Sequence, residues 1–299
     1  PPSAGTEVFA MDLGNGNSDD AVFDSTFPVD MGLIKNKEST AHWMVASRLT
    51  GKYFYRLSED SPQYNSSGFK WDHIDGWNED SYSNQNISWM WKRGAGLDVV
   101  HYTGNGKTSH NIKHSLNGVP EMIWIKRRVG ADDPKIGHKG LDGGNNPWTH
   151  YLNSFENEPS EADGLIWNDE APTATHFTVG TDNSVNNTNP YIAFLMRSIS
   201  GISQVGYYTG DNGTSRAMNV GFQPRFIWFK CVDGINANGS DWYIIDSERG
   251  TSNILRMGRD AAQLTGYNFL SFTSTGWTIN SDSSAINYLN NKYIYWVHA

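Results

Sequence analysis

Val205-Gly-Tyr-Tyr-Thr-Gly-Asp-Asn-Gly213 is an apolar, aromatic run that ends in an Asn-Gly turn. The chain carries it twice more, as Val8-Phe-Ala-Met-Asp-Leu-Gly-Asn-Gly16 and Val99-Val-His-Tyr-Thr-Gly-Asn-Gly106. Asn and Gly accept the positive φ that a tight hairpin turn needs, so each copy reads as a strand entering a turn. About twenty residues further on a second shared phrase appears: Val29-Asp-Met-Gly-Leu-Ile-Lys35, Pro120-Glu-Met-Ile-Trp-Ile-Lys126 and Pro224-Arg-Phe-Ile-Trp-Phe-Lys230. A continuous apolar run of that length suits a strand covered on both faces. Trp-led strands follow at Trp43, Trp148 and Trp242, and each copy closes on Ile87-Ser-Trp-Met-Trp-Lys92, Ile192-Ala-Phe-Leu-Met-Arg197 or Ile294-Tyr-Trp-Val-His-Ala299. These align without gaps, placing Trp89, Phe194 and Trp296 at one position.

The repeat sets boundaries of 1–94, 95–200 and 201–299, with junctions too short to act as flexible tethers. Several short strands with a turn every 8–12 residues predict an all-β protein of three tandem antiparallel β-sandwich-like repeats in a row, with jelly-roll or barrel-like units as the alternative. Composition agrees: 13% of the 299 residues are aromatic and Gly numbers 30, while charged residues are only 18%. Such a core leans on rings, and such a chain turns often. The stretch Asn253 to Leu264 is the single helical candidate.

The net charge is −9, and no basic run exceeds Lys126-Arg127-Arg128, which argues against nucleic acid as a partner. No apolar stretch reaches membrane-spanning length, so no membrane insertion is expected. A single cysteine, Cys231, excludes an internal disulfide and reads as an inert, half-buried thiol. Nine His are scattered without a metal-ligand spacing, so neither a metal centre nor a cofactor is expected. Calcium is the one open alternative, through Asp19-Asp20 or Asp132-Asp133, although neither pair has the register of a calcium loop.

A residue type kept in all three copies serves the fold, because a catalytic site is needed once. By that test Lys35, Lys126 and Lys230, and Trp43, Trp148 and Trp242, are structural positions. Paired carboxylates for sugar hydrolysis would have to come from Glu158, Glu161, Asp163, Asp169 and Glu170, which read better as a solvated acidic loop. The spacing from Lys126 to Trp148 exceeds that from Lys35 to Trp43 or from Lys230 to Trp242, so residues 130–147 read as a loop inserted in the second copy. Long loops on rigid scaffolds concentrate recognition, which makes Lys135, His138, Lys139 and Asp142 the candidate binding residues.

The phrases Gly201-Ile-Ser-Gln-Val-Gly-Tyr-Tyr-Thr-Gly210, Gly221-Phe-Gln-Pro-Arg-Phe-Ile-Trp-Phe-Lys230 and Asp241-Trp-Tyr-Ile-Ile-Asp-Ser-Glu-Arg-Gly250 resemble the tandem β-rich repeats of structural proteins of marine tailed bacteriophages, known as tail-fibre or virion proteins. The resemblance covers essentially the whole chain and is weakest in the first copy, where Leu13 stands for Thr. It implies a non-enzymatic protein of the virion surface, extracellular, serving as a tail fibre or as a decoration of capsid or tail. Its implied partners are other virion proteins and a host surface glycan, and a homo-oligomer, a trimer by the habit of fibres, is the matching assembly. Rival readings are a polysaccharide-degrading tailspike enzyme, which would release product, and a carbohydrate-binding module array.

Overall fold

The computed structural model describes residues 2–16, 21–77, 82–94, 96–155, 157–233 and 241–299. Among the described residues antiparallel strands dominate, and helix is confined to single turns such as Gly164–Trp167 and Asn183–Asn186. In the first unit the main sheet runs, in spatial order, Phe9–Leu13, Asn86–Trp91, Met31–Asn36, Met44–Ser47, Tyr53–Arg56, Tyr64–Asn65. The second repeats that order with Leu97–Thr103, Pro190–Met196, Met122–Arg127, Lys135–His138, His150–Asn153, Glu161–Ala162. The third does so with Ser203–Thr209, Lys292–His298, Phe226–Cys231, Trp242–Asp246, Leu255–Met257. Each unit adds a small ribbon over one face: Phe23–Asp24 with Gly76–Trp77, His110–Lys113 with His176–Val179, and Arg216–Asn219 with Gly276–Ile279 and Leu270–Thr273.

The register proves the equivalence. Lys35, Lys126 and Lys230 lie opposite Ile87, Ile192 and Ile294, while Leu33, Trp124 and Trp228 lie opposite Trp89, Phe194 and Trp296. Because side chains alternate along a strand, every second residue of these central strands faces the ribbon and the others face away. Ile34, Ile125 and Phe229 are buried under their own ribbons, in three separate outer cores. The opposite faces meet in one inner core that includes Trp43 and Trp89 of the first unit, Trp124 and Phe194 of the second, and Trp228 and Trp296 of the third. The units therefore do not stand in a row. They close a cycle in which each touches both others. The physical reason is that the central strands are apolar on both faces, and a ribbon covers only one.

Two readings of the sequence change at this level. The Trp-led strand of the second unit is not led by Trp148: Lys135–His138 pairs with the central strand and occupies the place of Met44–Ser47 and Trp242–Asp246. Trp148 sits in a 3₁₀ turn that precedes the next strand, and it packs in the outer core against Trp167, ring centroids 5.6 Å apart, whereas Trp43 and Trp242 lie in the inner core. Gly137 makes this possible, since a Cβ there would lie 2.6 Å from the Trp148 ring and 2.8 Å from that of Trp167. Residues 130–147 are accordingly no insertion, because they contain a buried strand of the sheet. The extra length of the second unit falls between Lys135–His138 and His150–Asn153. Nor is Asn253 to Leu264 a helix: Leu255–Met257 is a strand, and Ile254 bridges Leu264.

Candidate functional site

The three repeated lysines lie at the seams between units. Lys35 is fully buried, and its Nζ donates to Ala41 O at 2.5 Å and to Asp260 O of the third unit at 2.7 Å. Lys126 donates to Asp132 O in its own unit and to Asp60 O of the first, at 2.9 Å for the latter. Backbone bonds reinforce the seams at matching places: Gln263 N to Lys37 O, Gln63 N to Arg128 O and Ser160 N to Val232 O, each two residues past the lysine. Lys230 is buried at the seam of the second and third units. Burial pushes all three ammonium groups down to about 8, opposed by the carboxylates of Asp260 at Lys35, Asp133 at Lys126 and Asp241 at Lys230. Trp43 joins the same system, its Nε1 donating to Arg256 O at 2.9 Å and to Arg259 O at 3.1 Å across the seam.

The four candidate loop residues do not form a binding loop. Lys135 is buried and donates to Asn153 Oδ1 on the neighbouring strand. His138 is 1% exposed. Its Nδ1 accepts from Gly140 N at 2.9 Å and its Nε2 faces Tyr295 O of the third unit at 3.4 Å. Burial pushes its pKa down to about 3, so the ring stays neutral in the fold. Asp142, at φ 50°, shapes a turn through its carbonyl, which accepts from Asn145 Nδ2. The turn lies against the third unit, where a Cβ on Gly140 or Gly144 would strike Tyr207. The sequence reading missed that this contact is made within the chain.

Lys139 lines a cleft. A space of about 430 Å³ is bounded by Val119, Pro120, Glu121, Lys139, Trp148 and Arg197. It shares Arg197 and Ser198 with a second space of about 570 Å³, lined further by Ser115, Leu116, Asn117 and Ile199. Lys139 Nζ pairs with Glu121 Oε1 at 2.7 Å, and Glu121 Oε2 accepts from Ser198 N at 2.5 Å. Arg197 Nη1 donates to Asn117 O at 2.5 Å, and among the described residues this guanidinium forms no ion pair. The groove thus offers hydroxyls, an amide and a fixed cation above an apolar floor, which suits a polar, anionic ligand more than an oily one.

Three of the five acids are engaged locally, whereas Glu158 Oε2 is buried without a hydrogen-bond partner among the described residues. Glu161 accepts from the Tyr151 hydroxyl at 2.8 Å, Asp163 caps the turn at Leu165 N, and Glu170 accepts from Asn168 Nδ2 at 2.9 Å. Asp132 pairs with Arg127 at 3.2 Å and Asp133 faces Asn153, while Asp19 and Asp20 lie outside the described residues. Among the described residues no group of three or more His, Cys, Asp or Glu is placed to hold a metal. Cys231 is buried and its thiol is pushed up to about 11 by desolvation, which makes it a poor nucleophile.

Residues 54–299 match the model of a domain of unknown function, DUF7483. No curated protein and no solved structure matches the chain.

Proposed function

For a chain that belongs to the DUF7483 family, we propose a non-enzymatic structural role on the surface of a bacteriophage particle, as a tail fibre component or a decoration of capsid or tail. In this reading the chain is a stiff block that presents the Arg197 groove to a host surface glycan. The observation that carries the reading is the fate of the repeated residues. Lys35, Lys126, Trp43 and the inner aromatic positions join unit to unit, and a rigid multi-unit scaffold is what an extracellular particle needs from such residues. The groove supports the adhesive part, because Arg197, Ser115, Asn117 and Ser198 provide the hydrogen bonding that acidic sugars accept. The cycle of three also sets three like units around one core inside a single chain, an arrangement that fibres otherwise reach by trimerisation.

The test has two arms. Antibody labelling of intact particles should place the chain on their outside, and the purified chain applied to bacterial surface polysaccharides should bind acidic ones without shortening them. Arg197→Ala should weaken that binding at least tenfold while leaving the melting temperature in place. Release of oligosaccharide products would replace the adhesive reading with the tailspike enzyme, and absence from particles would end the structural one.

A further inference from the structure

One position of the sheet breaks the rule that the three units share their chemistry. Where the strand after the buried lysine pairs with its outer neighbour, the first unit sets Met44 opposite Arg56 and the third sets Tyr243 opposite Arg256. The second unit sets Lys135 opposite Asn153. Lys135 is only 8% exposed, and its Nζ donates to Asn153 Oδ1, one bond from the amide carbon Cγ. On the other side of that amide, Asn153 Nδ2 faces Asp133 Oδ2 at 3.4 Å. The neighbouring Asp132 carboxylate is held by Arg127, which leaves Asp133 as the acid directed at the amide. The Tyr151 ring lies 5.4 Å from the ammonium. A buried nucleophile therefore touches an electrophile across two paired strands, with a half-buried carboxylate at the amide nitrogen as the proton carrier.

We propose that Lys135 and Asn153 join in a self-formed isopeptide bond, with Asp133 as the general acid and base. Asp133 takes a proton from the Lys135 ammonium, and the freed amine attacks Asn153 Cγ to give a tetrahedral intermediate. Protonated Asp133 then delivers that proton to Nδ2, the Cγ–Nδ2 bond breaks and ammonia leaves. The attacking nitrogen gives up its second proton to the departing ammonia, which leaves as ammonium. One amide replaces another, so no oxidant, reductant or external co-reactant is needed. Pairing in the sheet supplies the proximity that makes such a reaction fast within one molecule. The product would tie Lys135–His138 to His150–Asn153 covalently, beneath the turn that packs on the third unit.

The experiment is the intact mass of the full chain under denaturing conditions. The chain should weigh about 17 Da less than its sequence, the mass of one ammonia lost to lysine attack, and digestion should yield a branched peptide joining Lys135 to Asn153. Lys135→Arg and Asp133→Asn should each restore the sequence mass while keeping the strand signal in circular dichroism. A wild-type chain still at its sequence mass after prolonged incubation at neutral pH would overturn the proposal. A deficit that persists in Lys135→Arg would do the same, and a bond that forms in Asp133→Asn would remove Asp133 from its role.

Discussion

The inner core and the three outer cores are built from alternate residues of the same strands, yet they differ in what they hold together. Each outer core is closed by a unit's own ribbon: Trp77 lies over the first sheet, Phe177 over the second and Trp277 over the third. The inner core belongs to no unit. Trp91 stacks on Trp296 at 5.2 Å, Phe155 meets Trp242 at 5.6 Å, and Trp89 donates to Asp246 at 3.1 Å, all across seams. Local packing alone would give three sandwiches. Their second apolar faces, left bare by the ribbons, make the cycle obligatory.

The sharpest way to break that comparison is to isolate one unit. Residues 95–200 expressed alone would expose Trp124, Phe155, Phe194 and Met196, and should give an aggregated or molten product with no near-ultraviolet signal. A monomer that melts cooperatively would show that the outer core suffices. Next in size is Trp242→Ala, which removes an inner ring that is 1% exposed and should cost roughly 3–5 kcal/mol in a denaturant melt. The loss should appear in one transition for the whole chain; a separate early transition for the third unit would refute the shared core.

Acid should attack the seams before the outer cores. His298 is pushed down to about 3 by burial, with Arg225 adding to the effect, and its Nε2 accepts from Trp91 Nε1 at 3.3 Å. A proton there would set donor against donor, and in His138 it would remove the acceptor for Gly140 N. The folded pKa of each lies below the unfolded value of about 6.5, so the unfolded chain takes up the proton first. Their contribution is complete above pH 6.5 and is lost as the pH falls toward about 3. At pH 4.5 each should have lost about 2–3 kcal/mol, and His138→Gln should remove its own share of that fall. If His138→Gln leaves the acid sensitivity unaltered, the seam is not where acid acts.

Smaller effects separate seam from rim. Lys126→Met leaves Asp60 O and Asp132 O without their donor and should cost about 1–3 kcal/mol. The Lys139–Glu121 pair, about a quarter to a third exposed at both ends, should contribute under about 1 kcal/mol when tested by Lys139→Ala. Equal costs for the two would mean that the buried lysine is no clamp.

Much of this was legible in the sequence, and the failures share a cause. Strand content, turn chemistry and the alignment of Trp89 with Phe194 and Trp296 followed from period and composition, which are local properties. The lysines were recognised as structural because they recur, but their partners, Asp260 and Asp60, lie in other units and leave no local trace. Trp148 misled because a tryptophan at a similar place in the order of strands looks like the same tryptophan. The glycines spread through 130–147 read as a loop, although one of them, Gly137, is the clearance that lets Trp148 and Trp167 lie against the sheet. Asn153 carried no signal alone, and becomes notable only beside Lys135.

The first and third units are joined without a linker of their own. Arg225 Nη2 donates to Phe9 O at 3.0 Å and to Ala299 O at 2.9 Å, the Phe9 and His298 rings lie 4.7 Å apart, and a Cβ on Gly5 would touch Ala299 O at 2.5 Å. Gly5 and Ala299 are thus anchored side by side. Tension applied through these two points would load Arg225 and the Phe9–His298 contact first, opening the cycle like a clasp. Arg225 is the outermost link along that axis, with the Trp91–Trp296 stack and the Lys35–Asp260 bond behind it, and Arg225→Ala should lower the rupture force seen in single-molecule pulling more than it lowers the melting temperature.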